Sequence, residues 1–280
     1  MEFFVEYFRY SMRILQFLSR VVPAIAVFGG GNLKHLLIMR IVTLLLAGLC
    51  ASLHAQSHTI PDLQHAKQII VVTTSDWNAV DGTLTRYSRR PKGWARVTDP
   101  IPIVVGKNGL AWNPTLANPH PDHFSGPVKH EGDGRAPAGV FKLSNSFGFA
   151  ESTSLRNYLP LTATTECVDD VNSKHYAQIV DRSSIKDVDW KSSEKMRSVD
   201  LYRWGVVVSY NMEHPVPGHG SCIFLHVWRG LGQGTAGCTA MPEENIRQII
   251  HWINNKTPSA ILIQLPQSEY ERLKKDWQLP

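Results

Sequence analysis

Short apolar runs separated by turn residues recur along the chain from residue 68 onwards. The run 68–74 is rich in β-branched residues, and alternating patterns follow at 84–87 and 94–97, between Asp-Gly and Pro-Lys-Gly turn signals. The next run, 101–106, contains Pro102 and is predicted to be an edge strand, because proline cannot donate to a ladder. Short strands at this spacing indicate a β-sheet architecture and not βαβ units.

Three strands and two helices are predicted from the pattern in the C-terminal half. The apolar segments 201–210 and 222–227 are predicted to pair across a Pro/Gly loop. After Pro242, four isoleucines at i, i+3, i+4 and i+7 predict a helix that buries one face. The run 260–265 is a further buried strand, and an apolar stripe beginning near residue 270 predicts a closing helix.

The segment 150–200 is charged and has few apolar runs. We interpret it as an insertion that covers one side of a cleft, with a short helix predicted from Asp189 through Met196. The predicted fold is mainly β, a sandwich or barrel-like mixed sheet of mostly antiparallel strands with a few peripheral and C-terminal helices. Since no repeat or linker divides residues 60–280, they are predicted to form one domain.

Residues 1–55 have a different character. A positively charged n-region, ending in Met39-Arg40, precedes the apolar stretch 41–49 and small residues up to Ala55, which predicts a secretory signal peptide cleaved after Ala55. The apolar stretch is too short for a comfortable membrane span, so we expect membrane contact only through the uncleaved leader. Residues 1–38 are either an upstream extension or an amphipathic anchor.

The charge balance changes once the leader is set aside. The chain has a formal net charge of +5, but residues 1–55 hold five Lys/Arg and two Asp/Glu, which leaves 24 basic and 22 acidic residues. No Lys/Arg cluster with interleaved aromatics occurs, so no nucleic-acid partner is expected. The polar loop 113–135 contains His120, His123 and His130 among carboxylates, but the spacing matches no standard ligand pattern. We therefore predict no metal and no cofactor.

A glycine-punctuated loop joins a histidine to a cysteine. His226 closes the run that begins at Cys222, and Cys238 follows after 11 intervening residues. Such a loop can bring the thiol within hydrogen-bond reach of the imidazole, which would lower the thiol pKa or take its proton. Gly237 permits a tight turn, so that its N–H and that of Cys238 can point at a developing oxyanion. The alternative is a structural cysteine and a core histidine.

This stretch resembles the catalytic signature of the L,D-transpeptidases, the YkuD-type family that remodels bacterial peptidoglycan. Their pattern is a His on a strand, a spacer loop, and then Ser/Thr-His-Gly-Cys. Here it reads Thr235-Ala236-Gly237-Cys238, with Ala236 in place of the second His and a shorter spacer. The run 130–141, which ends in Ala-Pro-Ala-Gly-Val-Phe, resembles the segment that enters a central strand in the same family.

The resemblance implies a periplasmic or cell-envelope enzyme with an L,D-transpeptidase-like fold. Cys238 would attack a peptidoglycan stem peptide at the carbonyl between an L-centre and a terminal D-residue, leaving a thioester. His226 would act as base and then as acid, oriented by the carbonyl of Val227. An acceptor amine would resolve the thioester. Water would do so in an L,D-carboxypeptidase or endopeptidase, and a non-catalytic peptidoglycan-binding module is the third interpretation.

The same resemblance suggests substrate contacts beside the predicted pair. Trp228, Arg229, Thr235 and Ala236 are the candidates. Arg135 is a further one, because its planar guanidinium can pair with a substrate carboxylate; alternatively it ties down the acidic residues beside it.

Three cysteines remain once the leader is removed: Cys167, Cys222 and Cys238. An exported protein meets an oxidising environment, in which disulfides persist. If Cys238 stays a free thiol, Cys167 and Cys222 are the possible pair. The alternative is that both are buried thiols, because sequence does not reveal whether their Cα atoms lie within bonding range.

Overall fold

The structure is a computed structural model that describes residues 61–117, 124–254 and 260–280. The predicted signal peptide lies outside the described residues, as do His120 and His123 of the polar loop. None of the helices in the described ranges has the length and apolarity that a membrane-spanning segment requires.

Strands dominate the described chain, and helices are few. The strands are β1 (Gln68–Thr74), β2 (Asp81–Arg90), β3 (Gly93–Arg96), β4 (Ile101–Val104), β5 (Leu110–Trp112), β6 (Ala136–Gly148), β7 (Tyr158–Pro160), β8 (Thr165–Val168), β9 (Ile179–Asp181), β10 (Ser193–Lys195), β11 (Trp204–Val208), β12 (Phe224–Val227), β13 (Thr239–Met241) and β14 (Ala260–Pro266). The helices are α1 (Pro61–His65), α2 (Pro114–Ala117), α3 (Glu243–Asn254) and α4 (Gln267–Leu273). Short 3₁₀ turns occur at Arg182–Ser184, Met196–Ser198 and Asp200–Arg203.

The principal sheet closes on itself. Its strands follow the order β1-β14-β6-β11-β12-β13-β4-β2, and β2 pairs back with β1. The β1–β14 and β12–β13 pairs are parallel, and the other neighbours in the ring are antiparallel. Closure gives each strand of the ring a neighbour on both sides, so no free edge remains in it. The predicted mainly β fold with a barrel-like mixed sheet is confirmed.

Apolar side chains fill the space inside the ring and beneath α3. Strand β14 is buried at every position, as is nearly all of β1, because both lie inside the sheet and are covered on both faces. The isoleucines of α3 lie against this core, as their spacing predicts. They are Ile246, Ile249, Ile250 and Ile253. Burying side chains of this size stabilises the fold by about 1.5–3 kcal/mol each.

The prediction that β4 is an edge strand is wrong, since β4 lies between β2 and β13. Proline is tolerated there because β13 is three residues long and pairs with β4 only at Val104. Pro102 therefore lies beyond the end of that ladder, where its missing N–H costs no hydrogen bond.

The helix predicted from Asp189 through Met196 is also wrong. Ser193–Lys195 forms β10, which pairs with β8 and sets Glu194 opposite Cys167. Pairing with a neighbouring strand overrides the weak helical preference of so short a charged segment.

The insertion forms its own small sheet, in the order β10-β8-β9. A disulfide joins Cys167 of β8 to Cys222, just before β12, with Cα atoms 5.9 Å apart. Cys222 has a φ of 55°, an uncommon left-handed conformation for a residue with a side chain. The bridge therefore ties the insertion to the segment that leads into β12.

Candidate active site

A cavity of about 520 Å³ lies beside β12 and β13. Most of the residues singled out from the sequence line it: Trp228, Arg229, Thr235, Ala236, Gly237, Cys238 and His226. Asp169 and Glu194 of the insertion also line it, as does Tyr202, which follows the insertion. The cavity is therefore lined both by the loop that joins His226 to Cys238 and by residues of the insertion.

Parallel pairing brings the predicted histidine and cysteine together. In the β12–β13 ladder, Leu225 is opposite Thr239 and His226 is opposite Ala240. Cys238 immediately precedes β13, and its Sγ accepts a hydrogen bond from the backbone N–H of Phe224 at 3.3 Å. Two parallel strands need a crossover connection, and the glycine-rich loop supplies it.

Thr235 fixes the end of that loop. Its N–H donates to Val105 (2.9 Å), and its carbonyl accepts from the N–H of Lys107 (2.8 Å). Its hydroxyl donates to the carbonyl of Cys238 (2.6 Å) and accepts from the N–H of Gly237 (3.1 Å). Thr235 thus shapes the turn that presents Cys238.

Position 237 requires glycine because another part of the backbone lies close to it, and not because the chain adopts a left-handed conformation there. Its φ lies outside the left-handed region, but a Cβ there would lie 3.2 Å from the carbonyl oxygen of Arg135. Its N–H is already engaged by Thr235. The N–H of Cys238 has no backbone or side-chain acceptor in the described chain, so it is the amide free to bind an oxyanion.

The thiol of Cys238 is buried, with a residue exposure of 5%. Its Sγ donates to the carbonyl of Cys222 at 3.4 Å. Burial raises the pKa of Cys238 well above its usual value, and the nearby Glu194 carboxylate acts in the same direction. The thiol is therefore neutral at neutral pH, which departs from the lowered pKa that the spacing suggested.

His226 is held as a neutral base. Its Nδ1 lies 2.7 Å from the carbonyl oxygen of Val227, which can only accept, so Nδ1 carries the proton and Nε2 the lone pair. Burial lowers the pKa of His226 to about 4, and the positive charge of Arg229 acts in the same direction. Within the described chain, no hydrogen bond joins Nε2 to the Cys238 sulfur.

A buried polar network underlies the cavity. Lys129 and Asp133 form an ion pair of 2.6 Å, with side chains only 3% and 4% exposed. Glu131 accepts hydrogen bonds from the hydroxyls of Tyr176 (2.5 Å) and Ser221 (2.7 Å). Among the described residues, no group of three or more His, Cys, Asp or Glu side chains is arranged to hold a metal.

Arg135 lies outside the cavity lining. Its guanidinium donates to the carbonyl oxygens of Trp77 and Leu110, each at 2.9 Å, and to Asn78 Oδ1 at 2.8 Å. These contacts fasten neighbouring loops. The guanidinium therefore makes neither of the contacts expected from the sequence, and it is the backbone N–H of Arg135 that donates to Asp133 Oδ1, at 2.8 Å.

Sequence reasoning did not single out Tyr202 or Glu194. The Tyr202 hydroxyl lies 2.5 Å from Glu194 Oε2, and its ring packs edge-on against His226 with centroids 5.1 Å apart. Tyr202 was included in a predicted strand, and Glu194 lay in a charged segment without a motif. No local signal marks either residue, because a 3₁₀ turn and a three-residue strand bring them to the site.

The chain matches YkuD, the L,D-transpeptidase catalytic domain, over residues 69–261. The match runs from β1 to the start of β14 and includes both His226 and Cys238. The curated proteins and the solved structures gave no match.

Proposed function

The chain belongs to the L,D-transpeptidase (YkuD) family, and from this premise we propose that it is a cysteine-dependent acyltransferase acting on peptidoglycan stem peptides. Cys238 is the nucleophile and His226 is the base. The observation that carries the proposal is the state of this pair: a neutral thiol and a neutral imidazole with an unprotonated Nε2 line one cavity.

In the first half-reaction, Cys238 Sγ bonds to the carbonyl carbon between an L-centre and a terminal D-residue. The thiol proton passes to His226 Nε2 as the sulfur attacks, because neither group is charged beforehand. For this, the thiol exchanges the Cys222 carbonyl for Nε2 as its proton acceptor. The N–H of Cys238 donates to the oxyanion. When the C–N bond breaks, the imidazolium protonates the leaving amine and a thioester remains.

In the second half-reaction, an acceptor amine attacks the thioester. His226 takes the amine proton, the new amide forms, and the sulfur leaves as a thiol after accepting that proton. Water in place of the amine would give an L,D-carboxypeptidase or endopeptidase. Trp228, Arg229 and Ala236, which line the cavity, are the proposed substrate contacts.

We place this activity in the periplasm or cell envelope. The predicted signal peptide motivates this location, and so does the Cys167–Cys222 bridge, because disulfides persist in oxidising compartments. Peptidoglycan stems lie in the same compartment. Export of a reporter fused to residues 1–55 tests the location independently of the chemistry.

Mass spectrometry of purified muropeptides incubated with the protein tests the function. Wild type should release the terminal D-residue and form a new amide when an acceptor amine is supplied, and C238A should do neither. Release without amide formation would identify a hydrolase. Binding of muropeptides with no turnover, equal in wild type and C238A, would identify a binding module and overturn the proposal.

A further inference from the structure

A second pair of ionisable side chains faces the nucleophile, and the proposed reaction does not use it. Tyr202 and Glu194 line the cavity with Cys238 and His226. Tyr202 belongs to the same buried cluster as Cys238, and its ring contacts His226. The phenol thus contacts the imidazole and shares a buried cluster with the thiol, and its hydroxyl is hydrogen-bonded to Glu194.

The Tyr202 hydroxyl has one proton and two possible acceptors. One is Glu194 Oε2, at 2.5 Å. The other is the Cys238 sulfur, which belongs to the same buried cluster and lines the same cavity; a hydrogen bond donated to it would lower the pKa of the thiol. A single hydroxyl cannot donate to both at once, so the protonation state of Glu194 decides which one receives the proton.

Glu194 can occupy either protonation state near neutral pH. Burial raises its pKa to about 7, and the charges of Asp169 and Glu131 act in the same direction, against the hydrogen bond from Tyr202. As a carboxylate it accepts the Tyr202 proton and takes the donor away from the sulfur. As a carboxylic acid it donates its own proton to the Tyr202 oxygen, which turns the phenol proton towards the sulfur.

We propose that Glu194 is a positioning residue that acts through Tyr202, so that a protonated Glu194 directs the Tyr202 hydroxyl to the Cys238 sulfur and an ionised Glu194 withdraws it. In this role Tyr202 is a further catalytic residue, because it touches the reacting atom. The inference rests on the proposed function, in which the sulfur gains negative charge as it attacks. An ionised Glu194 also disfavours negative charge on the sulfur directly, because the two negative charges repel each other.

The position of Ala236 gives this pair its significance. The family pattern has a second histidine there, and this chain has a methyl group. Tyr202 and Glu194, from a different part of the chain, add polar hydrogen-bonding groups to the lining of the same cavity. The pair thus gives Cys238 a hydrogen-bonding partner that depends on protonation, which the Thr-Ala-Gly-Cys signature does not supply.

The charged groups nearest to Glu194 have hydrogen-bond or ion-pair partners of their own. Asp169 accepts a hydrogen bond from Ser192, Glu131 accepts from Tyr176 and Ser221, and Lys129 is paired with Asp133. Glu166 of the paired strand β8 accepts from Trp190 and Ser193. The remaining ionisable groups that line the cavity are Lys107, Arg229 and His226.

The test is the rate at which Cys238 reacts with iodoacetamide between pH 5 and 9, measured in wild type, E194Q, Y202F and the double variant, with C238A as the blank. Wild type should show an inflection near pH 7, above which the rate rises less steeply than for an ordinary thiol. E194Q presents an amide donor at every pH, so it should lose the inflection and exceed wild type roughly tenfold at pH 8, the effect of one hydrogen bond. Y202F should react slowly at pH 6, and in that background E194Q should add only the smaller gain that comes from removing the direct repulsion between Glu194 and the sulfur.

An unchanged pH profile in E194Q, or an E194Q gain that is as large in the Y202F background as in the wild-type background, would overturn the inference. If E194Q does not fold, the Y202F profile decides, because its inflection must be smaller than that of wild type. Muropeptide turnover is measured in parallel. Turnover without the Glu194-dependent inflection would refute only the present inference, whereas the inflection without turnover would refute only the proposed function.

Discussion

The hydroxyl oxygen of Thr235 lies 2.6 Å from the carbonyl oxygen of Cys238, so the first residue of the Thr-Ala-Gly-Cys signature holds the last. The same oxygen accepts from the N–H of Gly237. One short side chain therefore satisfies two backbone groups in the turn that carries the nucleophile. The loop itself is anchored through the backbone of Thr235 to Val105 and Lys107.

Replacing Thr235 by Val should destabilise the protein by about 1–3 kcal/mol, because a methyl group of the same shape leaves both backbone groups without their partner. Muropeptide turnover should fall with it. Ser at the same position keeps the hydroxyl and is the matched control, expected near wild type in both thermal unfolding and turnover. Equal behaviour of the Val and Ser variants would show that the hydroxyl does not shape the turn.

Ala236→His should change turnover by less than about tenfold, because His226 already acts as the base in the proposed reaction. An added acid–base group accelerates a reaction only where it can transfer a proton in the transition state. Ala236 is exposed at the cavity wall, so the ring can be accommodated. Ala236→Gln adds similar bulk without a titratable group and serves as the control. A gain of several orders of magnitude in the His variant alone would mean that the natural site is crippled, and would favour a peptidoglycan-binding module.

Periodicity and motif predict much of this protein. The isoleucine spacing predicts α3, the β-branched run predicts β1, and the glycine loop between His226 and Cys238 identifies the centre of the site. These signals are local, so one sequence is enough to find them.

The contacts that the sequence does not predict depend on pairing between residues that are far apart in the chain. Tyr202 and Glu194 reach the cavity because β10 pairs with β8 and a 3₁₀ turn follows, and no nearby pattern encodes either contact. Burial, which sets the ionisation of Cys238 and His226, also depends on the whole fold. For this reason spacing alone suggested a lowered thiol pKa, and the enclosed site raises it.

Reducing the Cys167–Cys222 bridge should lower the free energy of unfolding by on the order of 4 kcal/mol, the chain-entropy value for a closed loop of this length. The bridge spans a sequence separation of 55 residues and fixes the insertion that carries Glu194. Denaturant unfolding with and without a reductant measures the difference. A C238S background prevents the free thiol from exchanging with the bridge.

A variant in which both bridging cysteines are Ala, in the same C238S background, provides the control. Its unfolding midpoint should match that of the reduced protein and should not respond to reductant. If reductant shifts the midpoint of the variant as well, the effect on the bridged protein does not come from the bridge.

His226 should make stability depend on pH in a predictable direction. Its pKa is about 4 in the folded protein because of burial, whereas the ordinary value is 6.5. Between these values the unfolded chain binds a proton that the folded protein does not, so stability should be lost as the pH falls from about 6.5 towards 4. For a fully buried group this difference corresponds to about 3 kcal/mol.

The comparison of wild type with H226Q isolates that contribution, since other groups titrate in the same range. The pKa of Glu194 is raised in the folded protein, so its contribution to the free energy of unfolding increases as the pH falls. This change has the opposite sign to that expected for His226. Unfolding free energies measured at pH 4.5, 5.5, 6.5 and 7.5 should give a wild-type minus H226Q difference that grows with pH and levels off above about 6.5. A difference that does not vary with pH would mean that folding leaves the pKa of His226 unchanged, and would remove the buried, neutral imidazole on which the proposed attack by Cys238 depends.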